Sequence, residues 1–205
     1  MNKETNKQSF LDILRSYSLR DIIFIAMLCV VFGVVYLVAV WMISPLTAIF
    51  APLGVSLLGT ELIFGIWFMA ATLAPYIIQK PGVAIVAEVL ASLIEVLLGN
   101  MYGPMVIVAG IVQGAGAEIV FALFRYKRWD RASMYLASVG CTITGFLWSF
   151  VRSNYGAIAP GLLVLYFLVR LISSLLFAGV LCKLMGDSLA KTGLLKSYPL
   201  GRKNA

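Results

Sequence analysis

The chain has 205 residues, 61% hydrophobic and only 12% charged, with a formal net charge of +7. A soluble domain carries about half apolar and about a quarter charged residues, so an ordinary soluble domain is excluded and there is room for one membrane domain over 1–205. Nucleic acid is not an expected partner, because the basic residues collect in the connections between apolar segments, where they set membrane topology.

Met1–Asp21 is polar and mixed in charge. The apolar run after it exceeds the roughly 7–15 residues of a signal-peptide core, and no small-residue cleavage site follows, so it reads as a first spanning helix. Pro, Gly and charge clusters divide the rest, giving apolar segments at Ile22–Ile43, Thr60–Gln79, Gly82–Leu98, Met105–Phe124, Ala132–Val151 and Leu162–Met185. Each is near the ~20 residues that span ~30 Å of hydrocarbon as a helix, and none shows the alternation of a barrel strand. The expected fold is an all-α membrane protein: six transmembrane helices over 22–185, a cytoplasmic N-terminal segment 1–21 and a cytoplasmic tail 186–205.

Six crossings place 14 of the 16 basic residues on one side, leaving Arg152 toward the other side and Arg170 in mid-span. The positive-inside rule makes that side, and both termini, cytoplasmic. The outside then holds Ser44–Gly59, Asn100–Gly103 and Ser153–Gly161. The first is apolar but cut by Pro45, Pro52, Gly54 and Gly59, and reads as a lid or as a passive re-entrant connection.

Four of the nine acids, Glu61, Glu88, Glu95 and Glu118, lie in or beside apolar segments. A carboxylate at the membrane centre costs about 3 kcal/mol on insertion scales, and such residues face a bundle interior or a wet cavity. Glu88, Ser92 and Glu95 share a helix face, with the two acids ~10 Å apart along the axis. Further stripes join Glu61, Phe64, Gly65 and Phe68; Gly110, Gln113, Gly114 and Ala117; Cys141, Thr144, Trp148 and Arg152; and Tyr166, Arg170, Ser173 and Phe177. Arg170 is expected to pair with Glu118 or Glu88. Glu61 and Glu95, with no basic residue at their depth except Arg152, are read as ligand contacts. Trp41, Trp148 and Tyr102 have two readings, an interfacial belt or a pocket wall. Acids, an amide and aromatics in the outer half suit a flat, nitrogen-rich cation.

There is no histidine, and Cys29, Cys141 and Cys182 match no metal or redox spacing. The cysteines read as small buried residues. No phosphate-binding GxxxxGK[ST], HExxH or GxSxG occurs. No catalytic constellation is visible, and any uphill transport needs a partner or an ion gradient.

The combination E-x5-W (Glu61, Trp67), KPG (Lys80–Gly82), AE-x6-E-x3-GN (Ala87 to Asn100) and QG-x-GAE (Gln113–Glu118) closely resembles the YkoE family. These are substrate-binding S components of energy-coupling factor (ECF) vitamin transporters. The resemblance implies a six-helix S component with cytoplasmic termini and no cofactor, and thiamin or a hydroxymethylpyrimidine-related precursor as ligand. As partners it implies a coupling membrane subunit and two ATP-binding cassette ATPases. Glu61 and Glu95 are expected to bind the ligand, with Gln113 and Asn154 giving amide hydrogen bonds. Trp67, Trp148, Tyr155 and Tyr166 are the candidates to flank its rings, beside Phe64 and Phe68, with Trp67 otherwise facing lipid. Many S components dock their coupling subunit through AxxxA on the first helix. Here Val30 follows Ala26, so the expected docking stripe is Ala26, Cys29 and Gly33. The competing readings are a stand-alone ion-coupled transporter and an S component for another vitamin such as riboflavin.

Overall fold

The computed structural model describes residues 16–203, and the expectation for residues 1–15 lies outside the described residues. The elements are α1 (Leu19–Phe50), α2 (Leu57–Ile63), α3 (Met69–Ile78), α4 (Val83–Leu97), α5 (Met105–Leu123), α6 (Arg131–Arg152), α7 (Pro160–Ser174), α8 (Cys182–Lys191) and α9 (Pro199–Lys203). A 3₁₀ stretch, Phe64–Phe68, joins α2 to α3, and a π-helical stretch, Leu175–Leu181, joins α7 to α8. Among the described residues, five helical stretches are long and apolar enough to cross a membrane: Leu19–Leu53, Leu57–Ile78, Met105–Leu123, Arg131–Arg152 and Pro160–Lys191. The expected segment at Gly82–Leu98 forms α4, whose 15 residues span only about 22 Å.

Two boundaries depart from the expectation. α1 does not stop at Ile43 but runs through Pro45 to Phe50. Proline removes one backbone donor but need not end a helix whose neighbours hold it. Here Gly59 lies against the backbone of Leu46 and Thr47, where an added Cβ would come within 2.5 Å of both. The connection Ser44–Gly59 is therefore mostly helix, docked on the start of α2. At the other end, the tail folds back on the bundle, burying Leu195 and Leu200.

Both ends of the described chain meet at one end of the bundle. The Tyr198 hydroxyl donates to the Arg20 carbonyl at 3.0 Å, Tyr17 donates to the Pro81 carbonyl at 2.7 Å, and Lys80 pairs with Asp21 at 2.6 Å. The core is built largely of alanines and aromatics from α1, α3, α4, α5 and α6, while Met27, Val30, Ile119, Leu147 and Ile172 point outward. Small residues let the helices close up. At Gly114 of α5 an added Cβ would sit 2.8 Å from the Ile85 Cα of α4, so the Gly110–Gly114 pair serves a helix contact. Cys29, Cys141 and Cys182 are free and buried.

Glu118 of α5 secures the start of the short α4. Its carboxylate accepts from the backbone N–H of Gly82 at 2.5 Å and of Ala84 at 3.1 Å, and from the Tyr126 hydroxyl at 2.7 Å. The first N–H groups of a helix lack intrahelical partners and carry positive partial charge, so an acid there is stabilised. Glu118→Ala is expected to cost about 1.5–3 kcal/mol, the range for a hydrogen-bonded charge. Thermal unfolding in detergent checks this, and an unshifted melting temperature would remove the role.

Asp130 caps α6: its side chain accepts from the Ser133 N–H at 2.9 Å while Ser133 Oγ accepts from the Asp130 N–H at 3.0 Å. The hydrogen bond from Arg128, then that from the Ser133 N–H, hold the Asp130 carboxyl below its ordinary value. A depressed acid contributes stability above its unfolded pKa, about 3.9, and loses it as pH falls through the lower folded value. Asp130→Ala is expected to cost about 1 kcal/mol at neutral pH. The gap between the variant and the parent should narrow below about pH 4, as followed by melting temperature against pH.

Candidate functional site

A cavity of about 440 Å³ opens at the end of the bundle opposite the paired termini, between the ends of α1, α2, α4, α5 and α6 there. Its size lies within the ~300–1,000 Å³ of small-molecule sites, which are mostly apolar with a few placed polar groups. Ile43, Phe64, Trp67, Tyr102, Met105 and Trp148 supply apolar and aromatic wall, and Ser92, Glu95, Asn100, Gln113 and Arg152 supply polarity. A larger cavity of about 540 Å³ at the opposite end is lined by Asp21 and Lys80, already paired with each other, and by Arg20, Tyr198 and Arg202.

Glu95 is the acid in the lining. Its side chain is wholly buried, and Oε1 accepts from Trp67 Nε1 at 3.3 Å and from Asn100 Nδ2. Its second oxygen, Oε2, has no hydrogen-bond partner among the described residues. The chain reverses just beyond α4, with Gly99 at φ +98°, where glycine is favoured, and this brings Asn100 back onto Glu95. The Gln113 side chain, buried on α5, takes part in no hydrogen bond among the described residues. A buried unsatisfied carboxylate oxygen costs about 1–3 kcal/mol or more, and in Glu95 that oxygen belongs to a residue of the cavity wall.

Glu61 and Arg170 form a second polar centre behind the wall. Both are fully buried, with Arg170 Nε 2.5 Å from Glu61 Oε2 and Nη2 2.6 Å from Oε1. The Tyr155 hydroxyl donates to Glu61 at 2.5 Å, and Arg170 Nη1 donates to the Ser149 hydroxyl at 3.0 Å. The guanidinium lies 3.7 Å from the Phe64 ring centroid, a cation–π contact. Phe64, Ser149 and Tyr155 all line the cavity. The ion pair thus holds three pieces of wall without facing the cavity.

The structure brings Phe64, Trp67, Glu95, Gln113, Trp148 and Tyr155 together around the cavity, and so places Trp148 and Tyr102 in its wall. Four other expected site residues are not in the lining. Glu61 is engaged by Arg170, which pairs with neither Glu118 nor Glu88 as the sequence suggested. Phe68 is buried in the core, Tyr166 packs in a separate cluster with Phe146 and Tyr155, and Asn154 is an exposed turn residue at φ +53°. The proposed docking stripe also differs: Ala26 is exposed, but Cys29 donates to the Ala87 carbonyl of α4 at 3.2 Å. An added Cβ on Gly33 would lie 2.5 Å from Ile94. Cys29 and Gly33 therefore bind α1 to α4 inside the bundle.

Sequence reasoning missed Asn100, Ser149 and Arg170 as parts of the site. Asn100 carried a signal, since it closes the quoted AE-x6-E-x3-GN pattern. Ser149 adjoins Trp148 but points from another face of α6, and only folding brings α7 close enough for Arg170 to reach Glu61.

A bundle with five helical stretches long and apolar enough to cross a membrane, and a buried, half-satisfied acid beside a cavity of small-molecule size, has the features of a membrane protein with a solute site. Residues 20–144 match the family described as "ABC-type cobalt transport system, permease component". The chain is 42% identical over 190 residues to the "Putative HMP/thiamine permease protein YkoE" of Bacillus subtilis (strain 168), covering 93% of each chain. A solved structure described as the crystal structure of an S-component of an ECF transporter superposes with a TM-score of 0.86 at 42% identity, over 92% of this chain and 93% of that one. The chain belongs to the YkoE-type S components of ECF transporters.

Removing one partner of a buried ion pair strands the other charge and costs about 3–5 kcal/mol. Glu61→Ala and Arg170→Ala are each expected to fall in that range. The double variant Glu61→Gln with Arg170→Met should recover part of the loss, because no uncompensated charge stays buried. Melting temperatures of the three variants check this; additive losses in the double variant would contradict it.

Proposed function

We propose that this chain captures thiamin, or its hydroxymethylpyrimidine precursor, for an ATP-driven ECF importer in a bacterial cytoplasmic membrane. The observation that carries the reading is Glu95, buried in the cavity with Oε2 lacking a partner. An aminopyrimidine offers N–H donors to that oxygen, and a thiazolium offers positive charge near it. Trp67 and Trp148 give aromatic faces for flat rings and for the cation, and Gln113 offers one donor–acceptor amide. Binding needs no cofactor in this scheme: the protein orients and desolvates the ligand without chemical change.

The side-by-side ends of the described chain, with Arg20, Lys80 and Arg202 around them, fit an even number of crossings and a positive inner face. In the proposed topology α4 is the third of six crossings, adding one to the five long apolar stretches, the termini are cytoplasmic and the cavity faces outward. The name of the Bacillus relative speaks for the pyrimidine and thiamin ligands, and the matched S component for an ECF partnership. The chain has no phosphate-binding nucleotide motif of its own, so ATP hydrolysis falls to two partner ATPases, joined through a coupling membrane subunit. A cobalt cargo fits the donor set poorly. Cobalt sites use several nitrogen, oxygen or sulfur ligands, whereas the chain has no histidine and the described residues hold no cluster of three or more metal-binding side chains.

Calorimetric titration of the detergent-purified protein with thiamin, hydroxymethylpyrimidine and riboflavin tests the ligand. Thiamin or the pyrimidine should bind and riboflavin should not. Glu95→Gln should weaken binding by about ten- to a hundredfold, equivalent to about 1.5–3 kcal/mol for a charged hydrogen bond. Full affinity in Glu95→Gln would remove Glu95 from the site. In proteoliposomes, uptake should require the ATPase partners; uptake by the chain alone under a pH gradient would support the secondary transporter.

A further inference from the structure

Among the described residues Arg152 is the one base in the cavity lining. It ends α6, about 33 Å along the helix from Arg131 and the cluster of bases at the other end. Arg170, the other base away from that cluster, is consumed by Glu61. Arg152 forms no ion pair among the described residues, and its side chain is exposed. It does sit in the last turn of α6, where a cation offsets the helix dipole, but that role does not require a place in the cavity wall. Met105 and Val106, the first residues of α5, share the lining.

The cavity therefore holds one acid and one base on different elements: Glu95 on α4, buried, and Arg152 on α6, exposed. A purely cationic ligand satisfies the first and is repelled by the second. A neutral heterocycle leaves both without a counter-charge. Both charges are answered by a ligand with an amino-heterocycle or cationic ring at one end and an anion at the other.

We propose that Arg152 is a specificity-determining residue that lets the site accept the phosphate monoester of its vitamin as well as the free alcohol. Guanidinium suits this task because its planar donors can engage two phosphate oxygens at once. The cavity volume, about 440 Å³, lies within the range for two-ring ligands with substituents. The proposal rests on the reading of this cavity as the thiamin site. It also places the protein before an intracellular phosphotransfer or phosphatase step, since both the free and the phosphorylated ligand would enter by one route.

The test is calorimetric titration of the full-length protein with thiamin and with thiamin monophosphate, for the parent, Arg152→Gln and Arg152→Lys. The parent is expected to bind the monophosphate within tenfold of thiamin. Arg152→Gln should shift the affinity ratio toward thiamin by tenfold or more, and Arg152→Lys, which keeps the charge, should shift it less. A role confined to the α6 terminus would lower the melting temperature and leave the ratio unchanged. Thiamin binding without monophosphate binding in the parent overturns this inference alone, as does a ratio that Arg152→Gln moves by less than twofold. Failure of both ligands to bind overturns the thiamin reading and this inference with it.

Discussion

The centre of this bundle is organised around the difficulty of keeping a carboxylate in an apolar interior. Unpaired, such a group is expensive, and each of the four interior acids meets the demand differently. Glu61 has a guanidinium. Glu118 has the opening N–H groups of α4 and a tyrosine hydroxyl. One oxygen of Glu88 accepts from Tyr36 at 3.0 Å and from the Ala71 N–H at 2.9 Å. Glu95 has two donors on one oxygen and none on the other. The first three acids hold the frame together. Among the described residues Glu88 and Glu95 each keep an oxygen without a partner, but only Glu95 stands in the cavity wall.

The frame in turn makes the cavity. α4 is too short to reach far on its own, yet it carries both Glu88 and Glu95, so their depth depends on how its start is anchored. Glu118 and Tyr126 fix that start from α5, and small residues on α5 let α4 lie close. The 3₁₀ stretch between α2 and α3 turns Phe64 and Trp67 toward the cavity, and its Gly65 N–H is held by the Ser173 hydroxyl at 3.0 Å. Irregular helix of this kind survives in a membrane bundle where side chains answer the released backbone groups. The ion pair then braces Phe64 from behind. The frame and the cavity share walls here.

Much of this was legible beforehand. Hydropathy and the segregation of bases marked the helices, because a bilayer imposes length and charge rules that local sequence must obey. The turns at Lys80–Gly82 and Gly99–Asn100 were visible as punctuation. Glu95, Gln113, Trp67 and Trp148 could be singled out because polar and aromatic residues stand out in apolar surroundings. The helical course of Ser44–Phe50 was not legible, since Pro45 looks like a stop until Gly59 is seen packed against the next turn. Nor was the inward turn of Cys29 and Gly33: α1 is apolar on nearly all sides, so its sequence does not say which face meets α4 and which meets lipid.

By itself the sequence determined that this chain is apolar enough for a membrane, the approximate places of its long apolar helices, and the presence of interior acids, because these depend on composition and spacing along one chain. Only the tertiary structure decided which acid meets which partner. Glu61 and Arg170 are 109 residues apart, and no local pattern distinguishes Glu61, which is neutralised, from Glu95, one oxygen of which has no hydrogen-bond partner among the described residues. That distinction depends on distances of a few ångströms between different helices, and it separates the acids that hold the frame from the one that lines the cavity.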